Sequence, residues 1–65
     1  MDDYKSYCAA LMKVYRKANH MTQKELAEMV GVKHLTLRAW EQNVASPPYE
    51  IWKQIKSLLF GGIAG

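Results

Sequence analysis

Between Thr22 and Gln42 the chain carries a helix start, a glycine and a second helical stripe in immediate succession. Thr22 followed three positions later by Glu25 is a capping-box pattern. In it each side chain accepts from a backbone N–H at the helix start. Leu26, Ala27 and Val30 then fall on one helical face. Gly31 follows where a tight turn needs a positive φ, which glycine adopts without steric cost. A second helix can begin near Lys33, with Leu37 and Trp40 three apart on its inner face. Val32, in the turn, is apolar, as a turn packed on a core should be. Ala27 is small where the second helix must cross the first closely.

The remaining periodicity is also helical, so the expected fold is all-α. It is a compact four-helix domain with helices at about 3–18, 22–30, 33–42 and 48–60. Asp2 or Asp3 can cap the first helix, where a negative charge suits the dipole. Tyr4, Cys8, Leu11, Tyr15 and Ala18 form its expected buried stripe, leaving Tyr7 and Val14 outside. Asn19-His20 ends it, and Met21 can staple the next helix. Residues 43–48 read as a loop, with Ser46 or Pro47 opening the last helix. Ile51, Ile55, Leu58 and Leu59 are expected to turn inward there, and Gly61-Gly62 to stop it. Residues 61–65 are expected to be a frayed tail of this single domain, residues 1–65.

A chain of 65 residues is one domain. At this size only about 60% of the unfolded surface is buried, and stability is marginal without support. One cysteine excludes an internal disulfide, and His20 and His34 with Cys8 offer no zinc spacing. Association between chains is the support that remains. No run approaches a membrane span, and the polar N-terminus is no signal peptide, so a cytoplasmic setting without membrane contact is expected. The net charge of +3 permits a nucleic-acid partner. Lys13, Arg16, Lys17, Lys24, Lys33 and Arg38 cluster on and around the central motif, against Glu25 and Glu28 alone.

The central stretch resembles the DNA-binding helix-turn-helix of the phage Cro and lambda repressor family, the Xre-type regulators. The resemblance rests on Thr22-Gln23, Glu25-Leu26-Ala27, Gly31-Val32, Leu37, Trp40-Glu41 and Ser46-Pro47, and spans roughly residues 10–60. Many relatives have a fifth helix; this chain stops after four. In that architecture the second helix of the motif lies in the major groove of double-stranded DNA. The resemblance makes His34, Leu35, Arg38 and Ala39 the base-reading positions. Arg38 can bond both O6 and N7 of guanine, with the alternative that it is a solvated surface arginine. His34 can meet a base or a phosphate, or simply be exposed. Leu35 stands where the family usually has a polar residue; it can pack on a thymine methyl or cap the core edge. Gln23, Lys24, Lys33, Asn43 and Arg16 are the candidate phosphate contacts, with the alternative that the lysines are solvated charges. The family often pairs an arginine near the end of the first helix with the glutamate after the aromatic of the reading helix. Here those residues are Arg16 and Glu41, an expected structural ion pair.

Trp52, Tyr49, Leu59 and Phe60 are candidates for a homodimer interface, with the alternative that the core uses them all. Cys8 reads as a small buried apolar residue. No nucleophile with a partnering base, paired carboxylates or phosphate-binding glycine loop is present. The expected protein is therefore not an enzyme and takes no metal, cofactor or small-molecule ligand. It is a DNA-binding transcriptional regulator, expected as a homodimeric autorepressor on an inverted-repeat operator. Chains this short also resemble repressors of phages and mobile elements, including small autoregulators encoded beside anti-CRISPR genes. The alternatives are a protein-interaction module, such as an antitoxin or adaptor, and an architectural DNA-packaging or recombination factor.

Overall fold

The computed structural model describes residues 3–61, with side chains from Tyr4 onward. The proposed caps Asp2 and Asp3, and the tail beyond Gly61, therefore lie outside the described residues or side chains. Four helices follow in order: α1 (Asp3–Ala18), α2 (Gln23–Val30), α3 (His34–Glu41) and α4 (Tyr49–Phe60). Each begins and ends within about a residue of its expected position.

The α2 start is the capping box read from the sequence. The Glu25 N–H donates to Thr22 Oγ1 at 3.1 Å, and the Thr22 N–H donates to Glu25 Oε1 at 2.8 Å. Gly31 ends α2 in the left-handed region at φ 80°, and both its N–H and that of Val32 donate to the Ala27 carbonyl. Open space surrounds the position a Cβ would take at Gly31, so only the backbone conformation demands glycine. Gly31→Ala is expected to lower stability by about 1 kcal/mol, read from urea unfolding followed by tryptophan fluorescence. His20 (φ 55°) and Asn43 (φ 65°) make the other left-handed exits within the described chain without glycine. Asn and His are among the residues that tolerate that region best.

The core joins Cys8 and Met12 of α1, Leu26 and Ala27 of α2, Leu37 and Trp40 of α3, and Trp52, Ile55 and Leu59 of α4. Two helix faces differ from the sequence reading. On α1, Ala18 is exposed, whereas Met12 and Ala9 are buried. The helix is pressed from two sides, by α3 near Arg16 and by α4 along its tyrosines, so its buried arc centres on Cys8 and Met12. On α4 the buried stripe is Trp52–Ile55–Leu59, while Ile51 and Leu58 are exposed. Two of the four residues expected at a dimer face, Trp52 and Leu59, are thus inside the protomer. Tyr49 and Phe60 remain exposed.

Helix α4 also starts later than Ser46 or Pro47 suggested. Pro48 occupies its N-cap, and Pro47 is buried with its carbonyl accepting a 2.6 Å hydrogen bond from the Tyr4 hydroxyl. Burial pushes the Tyr4 phenol up to about 12, and the adjacent Cys8 adds to the shift. Three ring pairs then bind α1 to α4: Tyr4–Tyr49, Tyr7–Trp52 and Tyr15–Phe60, at 6.4, 6.2 and 5.9 Å between centroids. Each ring meets the one 45 positions later, so the first and last helices run parallel in constant register. Edge-on and tilted aromatic pairs of this kind add to the stabilisation from burial alone.

Candidate nucleic-acid interface

Helix α3 packs its inner side against α1 and α2 and leaves its outer side free. Leu37, Trp40 and Glu41 are buried, as 3.6-residue periodicity requires of one face. His34, Leu35 and Arg38 are exposed on the other, and Ala39 is half-buried beside them. Leu35 is 71% exposed, which excludes it as a cap on the core edge. Among the described residues, the side chains of His34 and Arg38 make no hydrogen bond or ion pair within the protein. An unpaired guanidinium and imidazole flanking a bare leucine form a surface equipped to meet something else.

Sequence reasoning missed Gln42. It is exposed and lies four residues after Arg38 and seven after Leu35, hence on the same outer stripe. Its spacing from Leu35 and Arg38 is the sequence signal that places it there.

The start of α3 differs from that of α2. Its N-cap is Lys33, which makes no side-chain cap hydrogen bond, and its first turn contains no acid. Ser, Thr, Asp or Asn is favoured at an N-cap, and a cation there opposes the helix dipole. The two helix starts differ in kind: one is satisfied internally, while the other leaves N–H groups and a positive charge open towards an anion. Lys24, in the first turn of α2, is exposed and adds a second cation.

Three other candidate phosphate contacts are engaged inside the protein. Arg16 Nε and Nη2 each donate to the Glu41 carboxylate at 2.9 Å, and Nη1 donates to the Met21 carbonyl at 3.4 Å. Gln23 Nε2 donates to Glu41 Oε1 at 3.2 Å. Asn43 Nδ2 donates to Ser6 Oγ at 3.3 Å. The Glu41 side chain is 1% exposed, so one buried carboxylate joins α1, α2 and α3. Bidentate geometry fixes direction as well as distance, and α3 is thereby locked in orientation beneath its outer face.

Cys8 is fully buried, and burial pushes its thiol up, away from the reactive thiolate. No helix among the described residues is long and apolar enough to cross a membrane.

The model of the helix-turn-helix family matches residues 12–61, which include α2, the turn, α3 and α4. No curated protein and no solved structure matches the chain.

Proposed function

The chain belongs to the helix-turn-helix family of Xre-type, lambda Cro-like DNA-binding regulators, and on that premise we propose that it is a homodimeric autorepressor of its own promoter. The observation that carries this reading is the outer face of α3. His34, Leu35 and Arg38 stand exposed and unpaired on a helix whose back is locked by Arg16, Glu41 and Gln23. Arg38 bonds a guanine edge, Leu35 packs on a thymine methyl, and His34, Ala39 and Gln42 complete the contact along the groove. Lys33, Lys24 and the open N–H groups at the start of α3 hold phosphates on either side.

Two copies bind half-sites of an inverted repeat about 34 Å apart. Occupancy excludes polymerase, with no catalytic step and no cofactor. The setting is cytoplasmic.

A mobility-shift titration tests this. It compares DNA from immediately upstream of the gene with an unrelated duplex of equal length at several salt concentrations. Strong preference for the upstream DNA, with affinity falling steeply as salt rises, is expected. Equal weak binding to both duplexes sinks autoregulation and turns attention to an architectural role. No binding to either favours a protein partner.

Lys33 supplies a sharper expectation. Lys33→Ser gives α3 the cap it lacks and is expected to raise stability by about 1 kcal/mol. The same change is expected to weaken binding on every duplex and lower the salt slope by about one. Denaturant unfolding and salt-dependent mobility shifts measure the two halves. A variant that is stabilised but binds unchanged removes Lys33 from the contact.

A further inference from the structure

Between the end of α2 and one flank of α4 runs an open groove of about 290 Å³, lined by Val30, Val32, Ile51, Gln54, Ile55 and Leu58. Leu58 is 52% and Ile51 38% exposed at its border. Among the described residues, no charged side chain lines it. A second exposed apolar face, around Tyr7 and Tyr49, is different in charge. Lys56 Nζ lies 5.5 Å from the Tyr7 ring centroid and Lys53 Nζ 5.6 Å from that of Tyr49. Two copies of a chain of net charge +3 meeting there would bring these lysines together, whereas at the groove they would not.

We propose that the groove is occupied by a second copy of this chain, related by a two-fold axis. The claim rests on the homodimer reading above and moves its surface from Tyr49 and Phe60 to Ile51 and Leu58. The geometry of α4 is self-complementary for such a contact. Ile51 and Leu58 lie seven residues apart on one flank, with Gln54 and Ile55 midway between them. Antiparallel packing of α4 on its mate sets Leu58 against the partner's Ile51 and into the partner's groove. Gln54 falls beside the axis, where two carboxamides, each donor and acceptor, can bond reciprocally. Val32 lines the groove two residues before His34, so the contact also fixes where the reading helix of each copy begins.

Sedimentation equilibrium over a range of concentrations tests the proposal on the intact chain and on Leu58→Glu. Wild type is expected to dimerise reversibly. Leu58→Glu is expected to raise the dimer Kd at least about tenfold, because it places an unpaired carboxylate in an apolar contact, while its circular dichroism stays native. Gln54→Cys supplies an independent readout: oxidation is expected to link it to its counterpart as a covalent dimer, and Tyr49→Cys is expected to stay unlinked. Cys8, fully buried, does not compete.

A wild-type chain monomeric at every concentration overturns the proposal. So does a dimer indifferent to Leu58→Glu, or cross-linking through Tyr49→Cys alone. Failure of the DNA-binding reading is visible separately, as absence of duplex preference in the mobility shift for wild type and variant alike.

Discussion

Arg16→Ala is expected to cost about 3–5 kcal/mol, enough to leave much of the protein unfolded at room temperature. A domain of this length has roughly 3–10 kcal/mol in total at the usual stability per residue. The size of the effect comes from what the substitution leaves behind. Glu41 is 1% exposed and takes two of its three hydrogen bonds from the Arg16 guanidinium. Without them it keeps only the 3.2 Å bond from Gln23. Glu41→Ala strands the arginine instead, but that side chain is 19% exposed and partly solvated, so the loss is expected to be smaller. Arg16→Lys keeps the charge but cannot reproduce two parallel N–H donors, and an intermediate loss is expected. Replacing Arg16 and Glu41 together by apolar residues of similar volume is expected to recover most of the stability. Urea unfolding of wild type, Arg16→Ala, Glu41→Ala and the Arg16→Ala/Glu41→Ala double variant forms a double-mutant cycle and gives the coupling directly. A loss below about 1 kcal/mol for Arg16→Ala would class the pair with exposed salt bridges and remove it as the lock on α3.

The second large effect concerns binding. Arg38→Ala is expected to weaken binding to the specific duplex by about 5- to 150-fold, the 1–3 kcal/mol of one bidentate base contact. Its exposed, unpaired side chain predicts a stability change within about 0.5 kcal/mol. The pattern across sequences distinguishes reader from anchor. A reader loses discrimination at one base pair and leaves the unrelated duplex unaffected. A uniform loss on all duplexes, with the salt slope lowered by about one, would make Arg38 a phosphate contact instead. The two substitutions separate scaffold from surface: one is expected to weaken the fold without altering a reading side chain, the other to remove a reading side chain with the fold intact.

The α2–turn–α3 unit was legible because independent constraints coincide there. The Thr22–Glu25 box, the left-handed Gly31 and the Leu37–Trp40 spacing each restrict the same few residues, and any two fix the third. The Arg16–Glu41 pair was legible only through family resemblance, since the residues are 25 positions apart and no local rule connects them. Helix α4 was ambiguous for a physical reason. Ile51, Trp52, Ile55, Leu58 and Leu59 satisfy two overlapping helical stripes, and only the position of α1 decides between them. The Tyr7 ring meets Trp52 edge-on, which turns that tryptophan inward and pushes Ile51 and Leu58 to the groove. Met12 was missed for a related reason, because a helix pressed from two sides buries a wider arc than one stripe describes. Among the site residues, the exposure of His34, Leu35 and Arg38 followed from helical geometry once Leu37 and Trp40 were set inward. The engagement of Gln23 and Asn43 with Glu41 and Ser6 depended on tertiary placement and had no sequence signal.

The parallel pairing of α1 with α4 bears on how the protein is made. The α2–α3 unit closes through neighbours in sequence, but each aromatic rung waits for a residue 45 positions later. Bringing such distant segments together costs roughly 3 kcal/mol of loop entropy before any ring contact repays it. On the ribosome, Tyr4, Tyr7 and Tyr15 therefore emerge early and stay unmatched until Tyr49, Trp52 and Phe60 follow. Folding becomes a single late event, and a chain released after α3 carries every reading residue on a helix with nothing to stand on.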